Sequence, residues 1–297
     1  MHQQKADLSI YTWRSPEFGQ AHKIQLRQGY IQYYEQGTGP TMVFIHGWLT
    51  NANLWRKVVP YLAKRFRCII PDMPFGAHLV ALQEDADLTP AGCGQLIIDF
   101  LNALKLSDVT LIGNDSGGVY AQIATATNSE RISRLILNSC ETPYDSFPPT
   151  AFVGLVEAAQ TQAGLAKALE VLRQREFRTN PRAYGLLAKR PIEDIVSDSY
   201  ALPLLNDTGI LRDAHKVISS ASERYIQWAG DKLISGFEHP VLFIWSSEDN
   251  FFPLKNAQQY AAALKNATVE TVADAYSFTP EDQPASLVEI ISAFMDR

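Results

Sequence analysis

The sequence has few of the features that mark disulfide-stapled, nucleic-acid-binding or metal-binding proteins. Its three cysteines, Cys68, Cys93 and Cys140, are too few and too scattered for a disulfide framework, and none forms a metal-type Cys-x-x-Cys pair. The 26 basic residues face 32 acidic ones, a formal charge of −6, and no run of Lys or Arg stands out. We therefore do not expect a nucleic acid or an anionic membrane as a partner. We expect a small molecule instead. Nothing in the composition indicates an oligomeric state.

Long apolar segments are also lacking. No stretch approaches the roughly 20 apolar residues that a membrane-spanning helix needs. The first residues are polar and contain no apolar core of a secretory signal, so we expect a cytoplasmic protein. The chain does have 297 residues, 46% of them hydrophobic, which is enough to bury a large core.

Apolar, β-branched runs alternate with helical patterns along much of the chain. This alternation predicts an α/β fold, with a mostly parallel sheet flanked by helices on both faces. Residues 24–26 and 30–34 surround Gly29 and predict an opening antiparallel hairpin. Further strands are predicted at residues 42–45, 68–70, 109–112, 135–137, 241–245 and 268–272.

The segment from residue 143 to about residue 238 differs from the rest. It is helical in pattern, rich in Ala, Leu, Arg and Gln, and interrupted by prolines. The strand-and-helix alternation then resumes, so the segment interrupts one sheet domain instead of ending it. We predict that residues 1–142 and 239–297 form one α/β core domain, and that residues 143–238 form an inserted helical cap domain.

The most informative motif is Gly113-Asn114-Asp115-Ser116-Gly117-Gly118, between a buried strand and a helix. A nucleophile elbow needs small residues two positions before and two after the reactive side chain, because the turn is tight and strained. Centring on Asp115 places glycines at both positions, whereas centring on Ser116 places Asn114 at one of them. The simpler alternative is a polar loop that caps the next helix. An elbow centred on Asp115 fits the sequence better.

A second motif, His46-Gly47-Trp48, ends an earlier predicted strand. This is the position where hydrolases place the other donor of an oxyanion hole, so the backbone N–H groups of Trp48 and Ser116 are expected to face a developing negative charge. The ring of His46 is expected to hold a neighbouring loop.

From about Tyr30 to the C-terminus, these motifs resemble in order and spacing the α/β-hydrolase superfamily. The aspartate in the elbow is similar to that of haloalkane dehalogenases, fluoroacetate dehalogenases and soluble epoxide hydrolases. The resemblance implies an α/β-hydrolase fold and Asp115 as a nucleophile, a chemistry that needs no metal or organic cofactor. In haloalkane dehalogenases a halide-holding Trp usually follows the nucleophile, and here Ser116 stands in its place.

The resemblance also locates the acid and the base of a catalytic triad. Asp249 falls at the acid position of the family, although it could instead cap the following helix. Glu141 follows the strand after the elbow, where one subgroup of dehalogenases keeps its acid. The family's histidine should follow the last strand, and Ser277 occupies that position.

Without that histidine, the second half of the reaction lacks its usual base. An ordinary aspartate is ionised at neutral pH, so Asp115 could form an alkyl ester unaided, but cleaving this ester requires an activated water. His78, in the loop after the strand at residues 68–70, is the best placed displaced base, ahead of His215 and His239.

Two functions remain open at this point. The first is a hydrolase of dehalogenase or epoxide-hydrolase type that acts on a small, largely apolar substrate through Asp115. The second is a non-hydrolytic use of the same pocket, either by a lyase, isomerase or cyclase with Asp115 as general base or by a ligand-binding protein without turnover.

Overall fold

The computed structural model describes residues 11–297. The expectation that there is no secretory signal depends on the polar N-terminal stretch. Most of this stretch, residues 1–10, lies outside the described residues. Eight strands form a single sheet in the spatial order β1-β2-β4-β3-β5-β6-β7-β8. The strands are β1 (Ala21–Leu26), β2 (Gly29–Gln36), β3 (Thr41–Ile45), β4 (Arg67–Pro71), β5 (Val109–Asn114), β6 (Ile132–Asn138), β7 (Val241–Ser246) and β8 (Ala267–Val272).

The sheet is antiparallel at one edge and parallel elsewhere. β1 and β2 form the predicted hairpin, in which Leu26 pairs with Gly29, and β2 then pairs antiparallel with β4. Every other pair is parallel. The predicted α/β fold with a mostly parallel sheet is therefore confirmed. Because the parallel strands point the same way, the loops after β3, β5, β6 and β7 meet at one edge of the sheet.

Helices cover both faces of the sheet. Those of the first half are α1 (Val59–Leu62), α2 (Pro90–Ala103) and α3 (Ser116–Thr127). Those between β6 and β7 are α4 (Val153–Ala158), α5 (Gln162–Leu169), α6 (Arg175–Arg178), α7 (Asp194–Ala201), α8 (Pro203–Asn206), α9 (Thr208–Ser219) and α10 (Glu223–Gly236). The last are α11 (Leu254–Ala263), α12 (Thr279–Asp282) and α13 (Pro284–Met295). Short 3₁₀ turns are present at Pro16–Phe18, Ala52–Trp55, Thr150–Phe152 and Glu170–Arg173.

The segment between β6 and β7 is helical throughout, as its pattern indicates, but its helices do not all play the same part. Helix α10 packs against α3, and its Ile226, Ala229 and Leu233 are buried in the main core cluster. It therefore covers the sheet. Most buried apolar residues of α5 and α9 belong to a separate cluster that includes Leu165 and Ile210. The division of the chain at residues 143 and 238 stays a prediction.

No helix within residues 11–297 combines the length and the apolar character needed to cross a membrane.

Candidate active site

Asp115 lies at the turn between β5 and α3, with φ 54° and ψ −145°. A positive φ is unfavourable for any residue with a side chain, so the turn holds Asp115 under strain. Added Cβ atoms on Gly113 and Gly117 would lie 2.6 Å from the Gly117 carbonyl oxygen and 2.5 Å from the His46 carbonyl oxygen, respectively. Both glycines are thus required by close backbone contacts. Ser116 is already the first residue of α3, so the strained position of the turn is that of Asp115.

Ser116 binds the Asp115 carboxyl group, Gly47 lies against it, and Trp48 binds Ser116. Its Oδ2 lies so close to Gly47 that a Cβ on this glycine would be 2.1 Å away. The backbone N–H and the hydroxyl of Ser116 both hydrogen-bond the carboxyl group. The Trp48 N–H donates to Ser116 Oγ at 2.8 Å. The Ser116 N–H therefore contacts the Asp115 carboxyl group, whereas the Trp48 N–H has a different partner and reaches Asp115 only through the Ser116 hydroxyl. The oxyanion-hole role of both N–H groups stays a prediction.

Asp115 opens into a cavity of about 870 Å³. Trp48, Ser116 and Glu141 line it from the sheet side, and Arg182 is an exposed cationic residue in its wall. The rest of the wall is mainly apolar and includes Phe147, Phe152, Leu155, Leu169, Leu172, Phe177 and Leu187. An enclosure of this size and character fits a small, largely apolar ligand with one reactive group at the Asp115 end.

The surroundings change the acidity of Asp115. Burial raises its pKa from 3.8 to about 7, the negative charge of Asp249 contributes to the increase, and the hydrogen bonds from Ser116 oppose it. The expectation that Asp115 is fully ionised at neutral pH is therefore wrong. The reason is desolvation by the apolar cavity, which the local sequence does not reveal.

Glu141 lies three residues beyond the end of β6 and lines the same cavity. Its backbone carbonyl accepts a hydrogen bond from Gln122 Nε2 of α3 at 3.0 Å, which holds this loop against the elbow helix. The side chain is buried, with 1% of the residue exposed, and its Oε2 has no hydrogen-bond partner. Burial raises the pKa of Glu141 well above its usual range, and the charge of Asp115 raises it further.

Asp249 and Ser277 lie side by side behind the cavity wall. Ser277 Oγ donates to Asp249 Oδ1 at 2.9 Å, so the predicted proximity of a candidate acid to Ser277 is confirmed. The N–H groups of Phe251 and Phe252 donate to the same oxygen at 2.9 Å each. Burial raises the pKa of Asp249, and these hydrogen bonds oppose the increase. Asp249 therefore fastens a turn, and it does not cap α11, which begins at Leu254 without a side-chain cap.

His46 is buried, and both ring nitrogens have backbone partners. Nε2 accepts from the Met73 N–H at 2.9 Å, while Nδ1 lies 2.9 Å from the carbonyl oxygen of Gly47. Burial lowers the pKa of His46 to about 4, so the ring is neutral at neutral pH. This histidine holds two loops together, as the sequence suggests, and does not line the cavity.

The structure does not bring His78 to the cavity either. Its Nε2 lies 3.2 Å from Asp213 Oδ2 in α9, and the ring is buried there because this carboxylate offers it a hydrogen bond. Neither His215 nor His239 lines the cavity. Across the described chain, residues 11–297, no histidine lines the cavity around Asp115, and no group of side chains is arranged to hold a metal ion.

Sequence reasoning missed the part played by Asn114, the residue before Asp115. Its Nδ2 donates to the carbonyl oxygens of Asn138 at 2.8 Å and of Ser277 at 2.9 Å. One buried amide thus ties together the ends of β5 and β6 and the segment after β8. A polar residue inside an otherwise apolar strand end was the signal for this role.

Comparisons with known proteins agree with this geometry. A family model described as "alpha/beta hydrolase fold" matches residues 40–284. An uncharacterised protein of Mycobacterium tuberculosis is 27% identical over 271 residues, covering 88% of this chain and 76% of the relative. Haloalkane dehalogenase 2 of the same species is 24% identical over 275 residues, covering 89% and 91%.

Among solved structures, the epoxide hydrolase CorEH superposes with a TM-score of 0.74 at 21% identity, covering 93% of this chain and 98% of that one. At this level of identity, the likeness concerns the fold. Together with the strained elbow, the eight-stranded sheet and the match over residues 40–284, these findings show that the chain belongs to the α/β-hydrolase family, with resemblance to its haloalkane dehalogenases and epoxide hydrolases.

Proposed function

We propose that the protein is a hydrolase of dehalogenase or epoxide-hydrolase type, which uses Asp115 as a nucleophile on a small, largely apolar substrate. The observation that carries this proposal is the position of Asp115, on a strained elbow that opens into an apolar cavity of about 870 Å³. A carboxylate in this place can approach an electrophilic carbon while water is largely excluded. The haloalkane dehalogenase and epoxide hydrolase relatives support the same chemistry.

The reaction would proceed in two steps. An oxygen of the Asp115 carboxylate attacks the carbon that carries a halogen or an epoxide oxygen, and the departing atom leaves with its electron pair. Water then attacks the carbonyl carbon of the Asp115 ester, and the product leaves as an alcohol or diol. During this second step, negative charge develops on the carboxyl oxygen, where the Ser116 N–H and hydroxyl are in position to stabilise it.

A second candidate is favoured by two observations. The pKa of Asp115 is raised to about 7, which suits a group that exchanges protons at neutral pH. Within residues 11–297, no histidine lines the cavity to activate water. On this alternative, Asp115 is a general base for an elimination or an isomerisation, and no ester forms.

A single-turnover experiment in ¹⁸O-labelled water separates these functions. Excess protein is mixed with 1-bromohexane or styrene oxide, and both the product and the intact protein are analysed by mass spectrometry. For a nucleophilic Asp115, we expect a transient alkyl adduct on the wild type, an unlabelled alcohol or diol, and ¹⁸O in Asp115. The Asp115→Asn variant is the control and should give no adduct in the same period.

Other outcomes would contradict the proposal. Label in the product of the first turnover would mean that water attacks the substrate directly, with Asp115 as its base. An alkene or an isomer would support the second candidate. Binding of the probe without any product or adduct would indicate a ligand-binding protein.

A further inference from the structure

Glu141 is the one carboxyl group besides Asp115 that lines the cavity in the described part of the chain. Its residue is 1% exposed, and its Oε2 has no hydrogen-bond partner. A buried polar atom left without a partner is unfavourable, and native proteins keep few of them. Because Glu141 lines the cavity, a molecule that enters the cavity could supply a partner for this oxygen.

The groups that face Glu141 are acidic or neutral. The carboxyl groups of Asp115, Asp145 and Asp249 act on it electrostatically, with Asp115 the strongest of the three. Tyr120 of α3 and the neighbouring Cys140 are the other titratable groups coupled to it, and both are uncharged at neutral pH because burial raises their pKa values. Two carboxyl groups that share one cavity do not ionise together readily.

We propose that Glu141 is the general base that activates the water molecule that cleaves the Asp115 ester. This inference rests on the proposed function, and it assigns the step for which the family's usual histidine is missing. Both residues line one cavity, and the proposal requires a water molecule in it that contacts Glu141 and the ester carbonyl carbon at the same time. Neither Ser277 nor Asp249 lines this cavity.

The charges of the two carboxyl groups would determine when Glu141 becomes able to act as a base. Burial raises the pKa of Glu141, and the charge of Asp115 raises it further, so an ionised Asp115 favours a protonated Glu141. Alkylation turns Asp115 into a neutral ester and removes the strongest charge that keeps Glu141 protonated. Glu141 then loses its proton to solvent more readily, so ester formation favours the ionised form that can act as a base.

Atoms and charges balance over the cycle. With a haloalkane, the carbon–halogen bond breaks as the Asp115 ester bond forms, halide departs, and Glu141 releases one proton to solvent. Water adds to the ester carbonyl carbon while Glu141 takes one of its protons. The tetrahedral intermediate expels the alkoxide, which takes up the remaining hydroxyl proton of the intermediate. The products are an alcohol, a halide ion and one proton, and both carboxyl groups return to their starting states.

The test follows the Asp115 adduct of 1-bromohexane by intact mass after rapid mixing. In the wild type, we expect the adduct to form and clear. In Glu141→Gln, it should form at about the wild-type rate and persist, with clearance slowed about 10²- to 10⁴-fold, the usual contribution of a general base. Asp145→Asn is the matched control, because Asp145 faces Glu141 but does not line the cavity. It should keep clearance and move its pH profile to lower pH.

A pH profile keeps the test decisive if Glu141→Gln does not fold. Wild-type clearance should rise with pH as one group ionises, at an apparent pKa above that of free glutamate. Clearance by Glu141→Gln at the wild-type rate, a flat wild-type pH profile, or a wild-type adduct that never clears would overturn the role of Glu141 while leaving Asp115 as the nucleophile. A wild type that forms neither adduct nor product would overturn the proposed function, and this inference with it.

Discussion

The buried carboxyl groups of this molecule fall into two classes, those with a cationic partner and those without one. Away from the cavity most have a cationic partner: Asp72 pairs with Arg14 at 2.8 Å, and Glu281 pairs with Arg56 and with Lys57. Asp249 has no cation and is held by hydrogen bonds from Ser277 and from backbone N–H groups instead. At the cavity, Asp115 and Glu141 take part in no ion pair with any residue in the described range 11–297, and burial is the largest cause of their altered acidity.

The presence or absence of a cationic partner has different physical consequences for a buried carboxyl group. A buried carboxylate with a matched cation stays charged and holds its loops in place, and removing the cation leaves a charge that water cannot reach. A buried carboxylate without a cation raises its pKa instead, and it becomes able to exchange protons near neutral pH. The contrast supports the proposal that Asp115 and Glu141 serve chemistry at some expense of stability, whereas the cation-paired carboxylates serve the fold.

The strongest test of this contrast is Asp115→Asn. Because the nucleophile would be lost, we expect turnover of a haloalkane or epoxide substrate to fall by at least about 10⁴-fold. The melting temperature should stay constant or rise, since the substitution removes an unpaired carboxyl group at nearly the same volume. Steady-state rates and thermal unfolding check both halves. A large drop in melting temperature would mean that Asp115 serves the fold.

Arg56→Met tests the paired side of the contrast. The Arg56 side chain is 6% exposed, and its Nη2 lies 3.0 Å from Glu281 Oε2. Removing this guanidinium leaves Glu281 buried with Lys57 alone, so we expect a loss of about 3–5 kcal/mol in the free energy of unfolding. Urea unfolding measures the loss.

The matched control for that variant is Arg67→Met. Arg67 pairs with Glu35 at 2.7 Å, but both side chains are substantially exposed, at 35% and 29%. The control should therefore lose much less stability than Arg56→Met. Equal losses in the two variants would remove the distinction between buried and surface pairs on which the contrast depends.

The pH dependence of stability sharpens the contrast. Because the pKa of Asp115 rises from 3.8 to about 7 on folding, the folded protein binds a proton that the unfolded chain has released at intermediate pH. Stability from this group is therefore fully present below about pH 4 and is lost as the pH rises through about 7. The total loss is on the order of a few kcal/mol.

Urea unfolding of the wild type and Asp115→Asn from about pH 4 to about pH 8 measures this effect together with the change that the lost Asp115 charge causes in the pKa of Glu141. The difference in unfolding free energy should shift in favour of the variant as the pH rises. A constant difference would show that Asp115 has an ordinary pKa in the folded protein.

The sequence was sufficient for the fold and for the position of Asp115, because both depend on local patterns. Strand periodicity located each strand to within a few residues, and Gly113 and Gly117 marked the strained turn. It could not assign α10 (Glu223–Gly236) to the layer that covers the sheet. The apolar stripe of this helix would look the same on a helix that packs only against the other helices of the inserted segment.

The acid–base groups were harder to rank from the sequence because their roles depend on which side chains reach the cavity. The resemblance puts Asp249 first and Glu141 second as the acid, yet only Glu141 lines the cavity. The raised pKa of Asp115 has the same origin, since desolvation comes from apolar residues distant in the chain such as Phe147 and Leu187. The bond from Trp48 to Ser116 Oγ likewise depends on the approach of two loops.

His78→Gln should leave the reaction unchanged, and it tests whether a histidine outside the cavity wall takes part in it. His78 is buried, and its Nε2 lies 3.2 Å from Asp213 Oδ2. That carboxylate also accepts a hydrogen bond from the Leu82 N–H at 2.7 Å and contacts Arg212. The Gln amide can replace one donor, so we expect a loss of about 1 kcal/mol in unfolding free energy. Formation and clearance of the Asp115 adduct should match the wild type. If His78→Gln instead stopped clearance while Glu141→Gln left it intact, the imidazole would be the base, and the loop that carries His78 would have to rearrange during turnover.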